Sequence, residues 1–434
     1  MRADRLLLVF AACLFAMALA RDALDRWIAK TDLPVLLAET SPEMLDRDGQ
    51  LLRLYTVEDG RWRMAVSTDA VDSTYIDMLI AYEDKRFYEH AGVDPLAIFR
   101  AAGQALWNGG IVSGGSTLTM QVARLLEDSG TGRFAGKLRQ MRVAMALERQ
   151  LSKDQILGLY LTRAPFGGNL EGVRAATLAW FGKEPRRLTA ADAALLVALP
   201  QSPEARRPDR DQQAARAARD RVLERMGRAE VLSDEEIDAA LSEPVPHERQ
   251  PFPALAPHLT DRALAKAPLT PRHHLTLHKD LQKSLEALAR SALLDLSGDV
   301  SIAMVLADHR SGEILASVGS ASYGRGDARQ GFVDMTRAAR SPGSTLKPLV
   351  YAVAFDRGLA HPQTLIHDRP VAFGSYAPQN FDGAFRGELP VADALRLSLN
   401  IPVVLLMDEI GPAHLMAAMR KSGVQAKLAG DQAG

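Results

Sequence analysis

A single cysteine, Cys13, stands in 434 residues. It lies in an apolar N-terminal stretch, so the rest of the chain can form no disulfide, thiolate metal centre or cysteine nucleophile. Net charge is equally scarce. The 52 Lys and Arg against 53 Asp and Glu leave a formal −1, which excludes the broad electrostatic footprint of a nucleic-acid partner. Any anionic ligand must be met by local cations. No internal repeat recurs, so solenoids and propellers drop out. The most apolar stretch, Leu6 to Ala20, falls short of the roughly 20 residues that cross about 30 Å of hydrocarbon. What is present is 47% hydrophobic residues, enough for two or three cores of ordinary domain size.

Arg2 and Arg5 precede that stretch, the layout of an export signal or a membrane anchor. Ala18-Leu19-Ala20 is a small-residue cleavage site, and composition alone leans toward cleavage; lipidation at Cys13 is a third alternative. Further on, Met44 to Val66 alternates apolar and polar residues around Asp48-Gly49 and Asp59-Gly60, which predicts short strands joined by turns. From Ser73 to Met226 the pattern is helical, with amphipathic stretches such as Leu138 to Tyr160 and Thr189 to Leu199. Pro200, Pro203 and Pro208 break it, and a proline cluster from Pro244 to Pro257 marks a linker. Beyond lie a helix around Leu281 to Leu293 and two strands, Ser301 to Ala307 and Glu313 to Val318. These strands flank the turn His309-Arg310-Ser311-Gly312.

Three stretches carry the first chemistry. In Glu83-Asp84-Lys85-Arg86-Phe87-Tyr88-Glu89-His90, the spacing predicts one helix face shared by Glu83, Phe87 and His90. In Ser113-Gly114-Gly115-Ser116-Thr117-Leu118-Thr119-Met120-Gln121, a glycine pair and a capping serine open a helix bearing Thr117 and Gln121, and free amides at such a start suit phosphate. Arg124 follows one turn on, and Lys137-Leu138-Arg139-Gln140 adds two cations and an amide. Singly, each stretch also reads as a capped or solvated helix end.

Together and in this order they resemble the peptidoglycan glycosyltransferase domain of class A penicillin-binding proteins, and Ala164-Pro165-Phe166-Gly167-Gly168 is similar to the penicillin-binding protein 1C type. The resemblance implies a mainly α, lysozyme-like domain that polymerises lipid II. It further implies Glu83 as general base, with Asp84, Phe87, His90, Thr117, Gln121, Arg124 and Lys137 lining the groove. A base to take the 4-hydroxyl proton and cations for the departing pyrophosphate are what that transfer needs, and Arg124, Lys137 and Arg139 are the candidate cations. The sequence departs from the family pattern at Gln140, usually glutamate, and at Gly136, often arginine. Gln140 can hydrogen-bond but cannot move a proton, so the expectation is one base rather than a carboxylate pair. Apolar residues Ile98, Phe99, Leu106, Trp107 and Ile111 suit either a bilayer surface or a buried helix.

The second constellation is Ser344-Thr345-Leu346-Lys347 after Pro342-Gly343, with Ser398-Leu399-Asn400 downstream. A lysine at i+3, partly desolvated, can act as base toward a serine hydroxyl. This combination resembles the serine transpeptidase domain of penicillin-binding proteins. The resemblance implies Ser344 as nucleophile, Lys347 as its base, and Ser398 and Asn400 in the cleft. Lys421-Ser422-Gly423 spells the family's third motif but closes the segment Pro412 to Arg420, so it reads as a helix end.

The expected layout is multidomain. A membrane segment at 1–30 is followed by a glycosyltransferase domain at 40–235 with its core at 75–226. A linker at 236–294 then leads to an incomplete α+β transpeptidase domain at 295–434, unstable alone and unreactive with penicillin. The resemblance implies a single uncleaved anchor in the bacterial inner membrane with both domains on the periplasmic side. The implied partners are lipid II, the growing glycan strand, the membrane and other cell-wall synthesis proteins. No cofactor is required, though magnesium or manganese could accompany the pyrophosphate. His273, His274 and His278 lack a carboxylate partner and read as structural. The competing readings are a non-catalytic scaffold and a lysozyme-like hydrolase.

Overall fold

The computed structural model describes residues 2–37, 39–108, 115–127, 134–296, 300–324, 330–424 and 426, without the side chains of 2–7, 9, 102, 105, 106, 108 and 134. Ser113, Gly114, Ile111, the side chain of Leu106 and the final Ala-Gly-Asp-Gln-Ala-Gly therefore lie outside it. The chain forms two compact units, Met1–Arg337 and Ala338–Gly434.

The first unit opens with helix α1, Arg2–Ala29, whose Leu8, Phe10, Phe15 and Met17 are exposed. Among the described residues no single helix is long and apolar enough to cross a membrane. Strands β1 (Glu43–Leu45) and β2 (Leu51–Leu54) pair antiparallel around Asp48-Gly49. The φ of +78° at Gly49 is the left-handed geometry this turn needs. Strand β3 (Trp62–Arg63) follows. Then come α2 (Ser73–Glu83), α3 (Pro95–Asn108), α4 (Leu118–Glu127), α5 (Phe134–Gln150), α6 (Lys153–Arg163), strand β4 (Leu170–Glu171), α7 (Val173–Phe181), α8 (Ala190–Ala198) and α9 (Gln212–Arg228).

Local sequence starts these helices. Asp72 caps α2 through Thr74 N, and Ser152 and Thr189 form reciprocal capping boxes at α6 and α8. Beyond Asp192 in its first turn, helix α8 is wholly apolar and buried in the core of the unit, with Leu195, Leu196 and Val197 at most 1% exposed.

The stretch expected as a linker holds α10 (Asp234–Ser242), α11 (Pro257–Lys266), β5 (Arg272–His274) and α12 (Lys279–Ser291). Strand β5 runs parallel to β1, giving the order β2-β1-β5. Asp46 joins this sheet to α12, accepting from Gln50 N and Lys279 N. Strands β6 (Met304–Ala307) and β7 (Ile314–Val318) form the expected antiparallel pair. Buried Gln282 of α12 bonds both the N–H and the carbonyl of Ser317, so the pair belongs to the first unit.

The second unit contains α13 (Lys347–Asp356), β8 (Leu365–Asp368), β9 (Gly387–Pro390), α14 (Val391–Arg396), α15 (Ile401–Ile410) and α16 (Pro412–Lys421). Its core joins Val350, Tyr351 and Ala354 of α13 to Leu406, Ile410, Leu415 and Met419 of the two last helices. Lys421 ends α16, and Gly423 takes φ +80° with its N–H on Arg420 O, the geometry of a helix end.

Candidate active sites

Glu83 is the last residue of α2, and Asp84 caps the helix. The shared helix face predicted for Glu83, Phe87 and His90 therefore does not form; Phe87 and His90 lie in turns. Asp84 is the reason. Its carboxylate accepts from His90 Nε2 at 2.9 Å and from Leu118 N at 2.9 Å, and these bonds compete successfully with helix continuation. His90 Nδ1 accepts from Gly92 N at 3.1 Å, which assigns the ring proton to Nε2. Phe87 is fully buried beneath Lys153, whose Nζ sits 4.5 Å from its ring centroid.

Thr117, 2% exposed, donates to Gly92 O and accepts from Met120 N, so it caps α4 in place of the predicted Ser116. Asp84, Phe87, His90 and Thr117 thus brace the site from inside rather than line an open groove. The helix-start amides expected to be free for phosphate are largely used: Leu118 N goes to Asp84, and Met120 N to Thr117.

Glu83 itself is half-buried. Gln121 Nε2 donates to its Oε2 at 2.9 Å, and Gln201 Nε2 donates to its Oε1 at 2.9 Å. Gln201 was not predicted; the sequence marks its neighbourhood only by Pro200. Arg206 in turn donates to Gln201 Oε1 at 3.0 Å and to Ala198 O at 2.6 Å. Tyr75 and Tyr160 are buried near Glu83. Burial lifts both hydroxyls well above the ordinary tyrosine value, and the Glu83 charge adds to this.

Lys137 donates to Ser116 Oγ and, at 3.4 Å, to Gln140 Oε1. Burial pulls its ammonium below the usual lysine value, and the positive charge of Arg124 pulls in the same direction. Gln140 is 2% exposed, and among the described residues its Nε2 has no hydrogen-bond partner. Arg139 does not join this group: its exposed side chain pairs with Glu127 at 2.8 Å. There it lines a separate cleft of about 410 Å³ with Trp27, Lys30 and Arg142.

In the second unit, exposed Ser344 lies on a short 3-10 turn, Gly343–Leu346, that leads into Lys347. Among the described residues its hydroxyl has no hydrogen-bond partner. Lys347 is buried and donates to Ser398 O, to Ser398 Oγ at 3.2 Å and to Asn400 Oδ1 at 2.7 Å. Burial lowers its proton affinity. Ser398 adopts φ +54°, a left-handed conformation costing on the order of 1 kcal/mol for a non-glycine residue. Buried Asp368 and Asn380 extend the network, with Asn380 accepting from Asn400 N at 2.8 Å. Ser344, Lys347 and Asn400 share a cavity of about 510 Å³ with Tyr376, Val403 and Met407. Ser398 approaches it through Lys347.

Two family models cover these sites: Transglycosylase over residues 48–227 and Penicillin binding protein transpeptidase domain over residues 302–434. The chain belongs to the class A penicillin-binding proteins. It is 43% identical to penicillin-binding protein 1C of Escherichia coli strain K12 over 403 residues, 92% of this chain and 52% of that protein. It is 31% identical to penicillin-binding protein 1B of Vibrio cholerae, over 86% of this chain and 51% of the relative. The chain thus spans about half the length of these curated relatives. Among solved structures, penicillin-binding protein 1A from Haemophilus influenzae aligns over 91% of this chain and 64% of its own, at TM-score 0.41 and 17% identity.

Within this penicillin-binding protein, a mostly helical transglycosylase domain precedes a transpeptidase domain. The matched transpeptidase span starts at 302, whereas the second compact unit starts at Ala338. The β6–β7 pair accounts for the difference, because α12 holds it in the first unit.

Proposed function

We propose that the first unit polymerises lipid II into glycan strands, with Glu83 as the single general base. The observation that carries this reading is the Glu83 carboxylate, half-exposed and held at each oxygen by an amide donor, in the domain that also presents Lys137 and Arg124 close together. Among the described residues no carboxylate pairs with either cation. Two such charges repel until an anion joins them, and a pyrophosphate leaving group is that anion.

Glu83 takes the proton of the acceptor 4-hydroxyl as its oxygen bonds to the donor sugar. The bond from that sugar to the pyrophosphate breaks, and the lipid pyrophosphate leaves with the electron pair. Lys137 and Arg124 interact more strongly with this developing charge than with the ground state. Gln140 Oε1 accepts from Lys137 and helps hold that cation in place. Any magnesium or manganese would arrive on the pyrophosphate.

In the same reading α1 anchors the protein in the inner membrane and both domains work on its outer side, beside other cell-wall synthesis proteins. The exposed apolar side chains of α1 support this placement. Ser344 and Lys347 hold the places of nucleophile and base for stem-peptide acylation, but Ser398 and Asn400 occupy the Lys347 ammonium, so in this reading the second unit is a poor acylating site as it stands. Purified full-length protein given lipid II should yield polymer, and Glu83→Gln should abolish it. Polymerisation by Glu83→Gln at the parent rate overturns the single-base reading.

A further inference from the structure

We propose that Gln201 and Arg206 form a positioning pair that holds Glu83 in its working orientation; the inference rests on Glu83 being the base. Gln201 ends the 3-10 turn Leu199–Gln201 that follows α8. It reaches Glu83 Oε1, while Gln121 of α4 reaches Oε2. The carboxylate is therefore held from opposite sides by elements far apart in sequence.

A carboxamide can present either its oxygen or its NH₂ to a neighbour. Facing a carboxylate, only the NH₂ end is attractive, and Arg206 selects that end by donating to Gln201 Oε1 at 3.0 Å. The same guanidinium nitrogen donates to Ala198 O at 2.6 Å, at the last residue of α8. Arg206 is thus tied to the buried helix α8, and Gln201 is tied to Arg206.

The loop bearing this pair is braced in turn. Gly168 N donates to Glu204 Oε1 at 2.6 Å. A Cβ on Gly167 would stand 2.9 Å from Pro203 O. The Ala164–Gly168 turn therefore sets the loop that sets the base. Each carboxylate oxygen has two acceptor sites, so after accepting one amide N–H it keeps a lone pair for the substrate proton. The pair fixes where that lone pair points and takes no proton itself.

The test measures lipid II polymerisation by the full-length protein in detergent, for Gln201→Ala, Arg206→Ala, Arg206→Lys, the Gln201→Ala/Arg206→Ala double variant, and Gln201→Ala in a Glu83→Gln background. Loss of one hydrogen bond to a charged group should lower kcat about tenfold, with KM changed less than about twofold. The double variant should lose no more than Gln201→Ala alone, because Arg206 acts through Gln201. Arg206→Lys should recover part of the loss. In the Glu83→Gln background Gln201→Ala should have no further effect.

A Glu83→Gln protein that is inactive beside a Gln201→Ala protein at parent kcat overturns the positioning pair and spares the base. Full additivity of the two alanine variants also overturns the pair, as does a loss confined to KM. Parent-rate polymerisation by Glu83→Gln removes the base and the pair together. Thermal melting of each variant within a few degrees of the parent separates positioning from folding, and the Arg206→Lys recovery supplies the same separation if either alanine variant melts early.

Discussion

The two units solve the same problem, holding one ionisable group ready, in opposite ways. In the first, neutral amides donate to the Glu83 carboxylate, and among the described residues no carboxylate pairs with Lys137 or Arg124. In the second, the cation is the held group. Lys347 places its ammonium on Ser398 O, Ser398 Oγ and Asn400 Oδ1. An ammonium has three donors, so these acceptors satisfy it completely and Ser344 stands apart. Under the proposed function the first arrangement is completed by an anionic substrate. The second is already complete and must open, or lose a proton, before Lys347 can act as a base.

The largest break in this comparison is Glu83→Gln. Lipid II polymerisation should fall at least about a hundredfold, the range for loss of a general base, while Lys347→Ala leaves polymerisation at the parent rate. Equal losses from both would show that the units do not work separately.

Next comes the cation pair. Lys137→Ala should cost on the order of a hundredfold in kcat, as expected when a preorganised electrostatic contact to a leaving group is removed. Arg139→Ala should cost less than about threefold, since its exposed side chain faces Glu127. Steady-state rates on lipid II decide it, and a larger loss at Arg139 would place that residue at the pyrophosphate.

The second unit gives a pH signature. Burial depresses the Lys347 proton affinity from the ordinary 10.5, so the neutral, base-competent form grows as pH rises and is fully present below the pH an exposed lysine would need. Ser344 should label slowly and incompletely with a fluorescent penicillin at neutral pH, with the rate rising toward alkaline pH. Rapid stoichiometric labelling that is flat with pH contradicts the closed arrangement.

The smallest effect concerns stability. Hydrogen bonding from Arg86 holds the Asp94 carboxyl at about 2, against 3.8 unperturbed. Its stabilising contribution is present above the unfolded value and fades as pH falls from about 4 to about 2. Asp94→Asn should therefore cost about 1 kcal/mol at neutral pH and almost nothing near pH 2. Thermal melts at both pH values check this, and an equal cost at both would assign the effect to packing.

Much of the helical frame is written locally. Asp48-Gly49 announces its turn, and Thr189 opens the stretch read as helical with a cap that needs only the amide three residues on, whereas Ser152 caps α6 inside what reads as one stretch from Leu138 to Tyr160. The end of α2 is not local. Residues 83–90 have an acceptable helical pattern, and the helix stops because Asp84 is bonded to an amide 34 positions away. Gln201 was invisible for the same reason, lying 118 positions from Glu83. The sequence separates Lys137 from Arg139 by a single residue, yet the turn of α5 sends them to different clefts.

Helix α5 also grips the foot of α1. Arg142 donates to Trp27 O and Thr31 Oγ1 and stacks on the Trp27 ring at 5.0 Å, and Arg149 pairs with Asp25. The element that carries Lys137 and Gln140 is thus bolted to a rod about 40 Å long, at 1.5 Å per residue. A rigid joint transmits torque. Tilting the rod would tip the cation-bearing wall of the site by the same angle, whereas a loose hinge would let the site ride level. Severing Arg142 and Arg149 would convert a mast into a mooring line.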